Sequence, residues 1–198
     1  MYSSNYRKHK SKNPIKKYLI NNFHSRLLKL IVKEMPKSIL DVGCGEGFTL
    51  KHIADNYKDA KLTGVDHNTS ALAICSDVLF DIKNTECIFG DIYGLELPSK
   101  SYEFVICSEV LEHLEKPKEA AKELSRICKG KLFLSVPFEP YFRLGNLMFM
   151  NHIKDLGNAP GHINHYNRNS FTNLVADFFI RFDLMVSFPW LIIYGEPK

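Results

Sequence analysis

The sequence predicts an α/β fold: a doubly wound, seven-stranded, mostly parallel sheet that closes with an antiparallel terminal hairpin. Three observations predict it. Strand-like and helix-like runs alternate along most of the chain. The early strand candidates are continuous apolar runs, as in sheets covered on both faces. The last two strand candidates are separated only by Pro189-Trp190, too short a link for a crossover helix, so they should pair antiparallel.

The elements follow in order. Residues 15–34 carry Ile15, Tyr18, Leu19, Phe23, Leu27, Leu30 and Ile31 at helical spacing, with Pro14 suited to the start and Met35-Pro36 to the stop. Strands are expected at Ser38–Val42, Lys61–Asp66, Glu86–Asp91, Phe104–Cys107, Lys131–Val136, Phe182–Phe188 and Leu191–Gly195. Helices are expected at Gly47–Tyr57, Ser70–Ile82, Lys118–Cys128 and Asn169–Phe179, the last with an apolar stripe of Phe171, Leu174, Val175, Phe178 and Phe179. Residues 138–167 form a long, aromatic-rich connection, and a connection of that length in a compact domain is usually functional.

A chain of 198 residues suffices for one domain with a single core. We expect a basic flexible tail over 1–14 and one domain over 15–198. Residues 1–17 hold Arg7, Lys8, Lys10, Lys12, Lys16 and Lys17 and no acid, so the net charge of +4 comes from this end and the remainder is near neutral. No apolar run approaches the roughly 20 residues that cross a bilayer, and no apolar stretch follows the basic start. The five cysteines show no CxxC pair and no zinc spacing, which predicts reduced core thiols in a cytoplasmic protein.

The chemistry begins where the first strand ends, in Asp41-Val42-Gly43-Cys44-Gly45-Glu46-Gly47, before a helix. Glycines there let the backbone turn sharply and approach a ligand, and an open α/β sheet binds ligands at that crevice. The spacing is not the dinucleotide GxGxxG, because Phe48 stands where its third glycine would be. Asp41, just before the loop, suits a cationic ligand group better than a pyrophosphate. The second strand ends in Asp66, placed to accept both hydroxyls of a ribose, a feature that dinucleotide enzymes share. The third ends in Gly90-Asp91-Ile92, where a carboxylate can accept from an exocyclic amine and Ile92 can pack on a ring. The fourth runs into Ser108-Glu109-Val110-Leu111-Glu112-His113.

These four signatures, in this order, resemble those of class I S-adenosylmethionine (SAM)-dependent methyltransferases, most of all the small-molecule group of the ubiquinone-pathway type. The resemblance is strong over residues 35–140 and looser beyond. It implies SAM as the methyl donor and S-adenosylhomocysteine (SAH) as the product. It places Asp41, Gly43, Cys44, Gly45 and Gly47 at the methionine moiety, and Asp66 at the ribose with His67 beside the adenine. Asp91 falls at the adenine amine with Ile92 against the ring, and Ser108, Glu109 and Val110 near the sulfonium. His67 departs from the apolar residue common at that position.

The resemblance also makes 138–167 an acceptor lid, with Phe138, Tyr141, Phe142, Leu147, Met148 and Phe149 as an apolar wall. That wall suits a small organic, aromatic or lipid-linked acceptor, methylated at oxygen. An oxygen acceptor has a proton to lose, and the candidate bases are His113, His162 and His165. An alternative is a magnesium-dependent RNA 2′-O-methyltransferase, whose pattern Glu109, Glu112, His113 and His165 resembles. In that case the basic tail would hold the RNA, although a near-neutral body is unlike a nucleic-acid binder. A non-catalytic SAM-binding interaction module is a further alternative. An NAD oxidoreductase conflicts with the glycine spacing.

Overall fold

The computed structural model describes residues 13–148 and 155–198. The first helix, α1 (Pro14–Glu34), opens where the Asn13 side chain accepts from the amides of Ile15 and Lys16 at 2.9 and 3.2 Å. It closes at Met35, which turns left-handed before Pro36. Its buried face is Ile20, Phe23, His24, Leu27 and Ile31. Ile15 and Tyr18, expected on that face, are exposed instead, because the first helical turn runs ahead of the core.

Then follow β1 (Ser38–Val42), α2 (Phe48–Asn56), β2 (Lys61–Asp66), α3 (Thr69–Leu79), β3 (Thr85–Phe89) and β4 (Tyr102–Ser108). After a three-residue helical turn at Leu111–His113 come α4 (Pro117–Ile127), β5 (Cys128–Pro137) and α5 (Tyr141–Met148). The chain ends with α6 (Arg168–Val175), a second short turn (Ala176–Phe178), β6 (Phe179–Ser187) and β7 (Trp190–Pro197). The helix expected to reach Phe179 therefore breaks after Val175, and Phe179 opens a strand. The α5 helix was not expected: it buries none of its residues, so its sequence shows no core-facing stripe.

The seven strands lie in the order β3-β2-β1-β4-β5-β7-β6. The first five are parallel, and β7 runs antiparallel to both β5 and β6, as the short Pro189-Trp190 link requires. Side chains alternate across the sheet with a period of two. Ile39, Leu62, Phe104, Ile106, Phe133 and Ile192 face α1, α2 and α3. Leu40, Val42, Val65, Val105, Leu132 and Leu134 face α4 and α6. Both faces are thus covered, which is why these strands read as unbroken apolar runs.

Cys44, Cys107 and Cys128 are buried free thiols, as expected. Cys75 and Cys87 are not: they form a disulfide that ties α3 to β3. The packing of α3 over its neighbouring strand brings the two sulfurs together. No described helix is long and apolar enough to cross a membrane.

Candidate functional site

Strand order reverses between the neighbouring parallel strands β1 and β4, with β2 and β3 added outward on one side and β5 on the other, and a crevice opens at that point. A cavity of about 790 Å³ fills it, lined from four strand ends by Gly43, Asp66, His67, Asp91, Ile92, Glu109, Val110 and His113, among others. These expected residues share one space. Asp41, Cys44, Gly45, Gly47 and Ser108 do not line it. Asp41 and Cys44 are buried, and Ser108 Oγ lies 2.8 Å from Ser135 Oγ.

The loop folds as its glycines require. Gly43 has φ 78°, and a Cβ there would lie 2.3 Å from Val110 Cγ2. Gly47, at φ 76°, lies against the Cys75 sulfur, so no side chain fits there either. The loop is pinned to β2, with Gly43 N and Cys44 N donating to Val65 O and Gly45 N donating to Asp66 Oδ2 at 2.8 Å. The other Asp66 oxygen accepts from Asn68 N at 2.8 Å. Each carboxylate oxygen has a second lone pair, so Asp66 keeps acceptor capacity toward the cavity. Asp91 is held likewise, its Oδ1 accepting from Tyr93 N at 3.0 Å.

Negative charge gathers around this loop. Burial first, and then the charge of Asp66, push the Asp41 carboxyl up to about 7. Burial together with the charges of Asp41, Asp66 and Glu46 pushes the Cys44 thiol far above its usual range. Such surroundings favour a cationic ligand group and oppose a pyrophosphate. A ligand with an ammonium or sulfonium at the loop, a ribose at Asp66 and an aminated ring at Asp91 fits these acceptors.

Glu109 carries φ 57°, a left-handed conformation uncommon outside glycine and often found at functional sites. It re-aims the chain from β4 into the Leu111–His113 turn. Glu109 therefore does not share a face with Glu112 and His113, contrary to the helical spacing expected for a metal set. His165 does not close that set either. Phe138 and Tyr166 pair as a β-bridge, which leaves His165 Nδ1 4.0 Å from Glu139 Oε1. His162 comes in instead, its ring centroid 4.8 Å from that of His113 and 5.6 Å from that of Phe142. Donor atoms of Glu112, His113 and His162 all lie within 4.8 Å of one another. Glu112 is buried, and His113 Nδ1 lies 2.9 Å from Gly161 O.

Of the residues expected to form a wall, Phe138 packs edge-on to Tyr141 at 4.8 Å and Phe142 stacks on His162, while Tyr141 and Met148 are exposed. Phe149 of that wall, and residues 1–12 of the expected tail, lie outside the described residues. Sequence reasoning assigned no role to Phe89 or Tyr93, and none of its own to Gly90, and all three line the cavity. Their nearness to Asp91 in the chain was the available signal.

This sheet, with its glycine loop, two strand-end carboxylates and acidic surroundings, defines a class I SAM-dependent methyltransferase domain. The chain belongs to the family described as "Methyltransferase domain", whose model matches residues 13–178. It is similar to malonyl-[acyl-carrier protein] O-methyltransferase of Halalkalibacterium halodurans, 30% identical over 112 residues, which cover 54% of this chain and 41% of that protein. It is also similar to the mitochondrial ubiquinone biosynthesis O-methyltransferase of Schizosaccharomyces pombe, 35% identical over 105 residues, covering 50% of this chain and 37% of that one. The chain thus spans less than half the length of these curated relatives. Its fold resembles that of magnesium protoporphyrin IX methyltransferase from Synechocystis, solved with bound SAH, at a TM-score of 0.68 and 18% identity over 97% of this chain and 94% of that one.

Proposed function

We propose that this chain transfers a methyl group from SAM to an oxygen of a small organic acceptor, with His113 taking the acceptor's proton. One observation carries the choice of His113. Its Nδ1 faces the carbonyl oxygen of Gly161, which can only accept, so Nδ1 carries a proton and neutral His113 keeps its lone pair on Nε2. His113 also lines the cavity that holds Asp66 and Asp91.

Bound SAM supplies an electrophilic methyl on a sulfonium. The protein's part is to hold, orient and deprotonate. Asp66 and Asp91 anchor the nucleoside, and the carboxylates of the loop attract the cationic end. Phe138, Tyr141 and Phe142 offer aromatic faces to an apolar acceptor. The oxygen acceptor is further supported by the two relatives named above, both called O-methyltransferases.

Calorimetry with SAH, and with NAD for comparison, tests the cofactor. SAH should bind and NAD should not, and the reverse result would remove the reading. Labelled methyl transfer from SAM to a panel of hydroxylated aromatics then tests the acceptor. His113→Gln should lower kcat by about 10²–10⁴-fold, and unchanged turnover would exclude His113 as the base.

A second reading is favoured by the cluster of Glu112, His113 and His162. A divalent ion there would lower the pKa of a bound hydroxyl, and His113 would be a ligand rather than a base. The mixed nitrogen and oxygen donors suit zinc or manganese better than magnesium. Calorimetric titration with each ion, and loss of turnover in chelator, separates the two readings.

A further inference from the structure

The Leu111–His113 turn has two neighbours. On one side Val110, His113 and Leu114 line the cofactor cavity. On the other side the turn is held by residues 161–166. The amides of Ile163 and Asn164 both donate to Glu112 O at 3.0 Å. The side-chain amide of Asn164 donates to Leu111 O at 3.3 Å and Leu114 O at 2.7 Å. The Tyr166 hydroxyl adds a bond to Leu111 O at 3.3 Å, and His113 Nδ1 donates to Gly161 O at 2.9 Å.

The turn closes one bond of its own, Leu114 N donating to Leu111 O at 3.4 Å, and its other carbonyls need partners from elsewhere. A segment about 50 residues further along the chain supplies them to Glu112 O and to Leu114 O, just past the turn, and adds further donors to Leu111 O, with Asn164 alone spanning two carbonyls. Undocking 161–166 would strip the turn of these bonds and loosen Val110, His113 and Leu114 with it. Cavity wall and lid are therefore one hydrogen-bonded unit.

We infer that Asn164 is a positioning residue that couples the 161–166 segment to the cofactor site, so that cofactor binding and lid order reinforce each other. This rests on reading the cavity as the SAM site. Coupling between sites is reciprocal. If SAH orders the segment, a change that undocks the segment weakens SAH by the same factor.

The test uses the full chain, with SAH as the probe and hydrogen exchange by mass spectrometry over 161–166. In the unsubstituted protein SAH should slow exchange in this segment. Asn164→Asp keeps the size but turns an oxygen toward the two carbonyls. It should exchange fast with or without SAH and bind SAH at least about fivefold more weakly. A merely structural Asn164 would raise exchange equally in both states and leave the affinity unchanged. Should Asn164→Asp fail to fold, Tyr166→Phe removes one tie and keeps the ring, and it should shift both readouts the same way by a smaller factor. SAH binding with no change in 161–166 exchange, or unchanged affinity in the variants, overturns the coupling alone. No SAH binding by the unsubstituted protein overturns the cofactor reading as well.

Discussion

If the buried Asp41 carboxyl beneath the glycine loop interacts with a bound cofactor's cationic end, cofactor binding should depend on pH, with a sign that follows from its burial. Its carboxyl is raised from an ordinary 3.8 to about 7, first by burial and then by Asp66. Near neutral pH about half of the molecules therefore carry it protonated. A cationic ammonium beside it would favour the carboxylate, so binding SAH should expel about half a proton at pH 7. If only the ionised form binds well, affinity levels off above about pH 8 and falls tenfold per pH unit well below 7. Between pH 7.5 and 5.5 the loss is roughly 25-fold, or about 2 kcal/mol.

Stability has its own sign. The folded chain binds this proton more tightly than the unfolded chain, so stability falls as pH rises from about 4 to about 7 and stays lower above. The cost at pH 8 is about 4 kcal/mol at most. Asp41→Asn should recover much of it and raise Tm at pH 8, while weakening SAH binding and flattening its pH dependence. Calorimetry in two buffers of different ionisation enthalpy reads the proton directly, and denaturant melts read the stability. Proton-neutral binding at pH 7, or the same pH dependence in Asp41→Asn, would refute the reasoning.

Two further predictions concern the loop and the disulfide. Gly43→Ala places a Cβ against Val110 at a left-handed φ, so it should cost at least about 2 kcal/mol in denaturant melts and weaken SAH binding; wild-type values for both would mean that the loop relaxes freely. Denatured without reductant, the protein should present three reactive thiols, and five after reduction, since only Cys75 and Cys87 are paired. Replacing both by serine should lower stability by about 2–3 kcal/mol, and five thiols in the unreduced protein would exclude the bond.

Much of the candidate cofactor site was legible because its signals are local. The glycine loop is a turn whose backbone angles demand its residues. Asp66, Asp91 and Glu109 each stand at or just past the end of a strand, and parallel strands deliver their ends to one edge. The residues opposite it, in 161–166, were less legible. His162 and His165 lie three residues apart on an irregular segment, where no period says which one faces inward. The Phe138–Tyr166 bridge decides it, pairing His165 with Glu139 and leaving His162 to meet His113. Asn164 likewise drew no notice, since its partners are backbone carbonyls that any sequence would supply.

By itself the sequence determined the sheet, its covered faces and the antiparallel close, because alternating burial and short links leave traces at neighbouring positions. It also determined which strand-end residues gather at the crevice, a matter of local backbone shape and strand order. Only the tertiary structure decided the Cys75–Cys87 bond, the Glu112, His113 and His162 cluster, and the seat of residues 161–166 on the Leu111–His113 turn. Each of these joins residues from separate elements, and a distance between elements is set by how they pack rather than by their spacing along the chain.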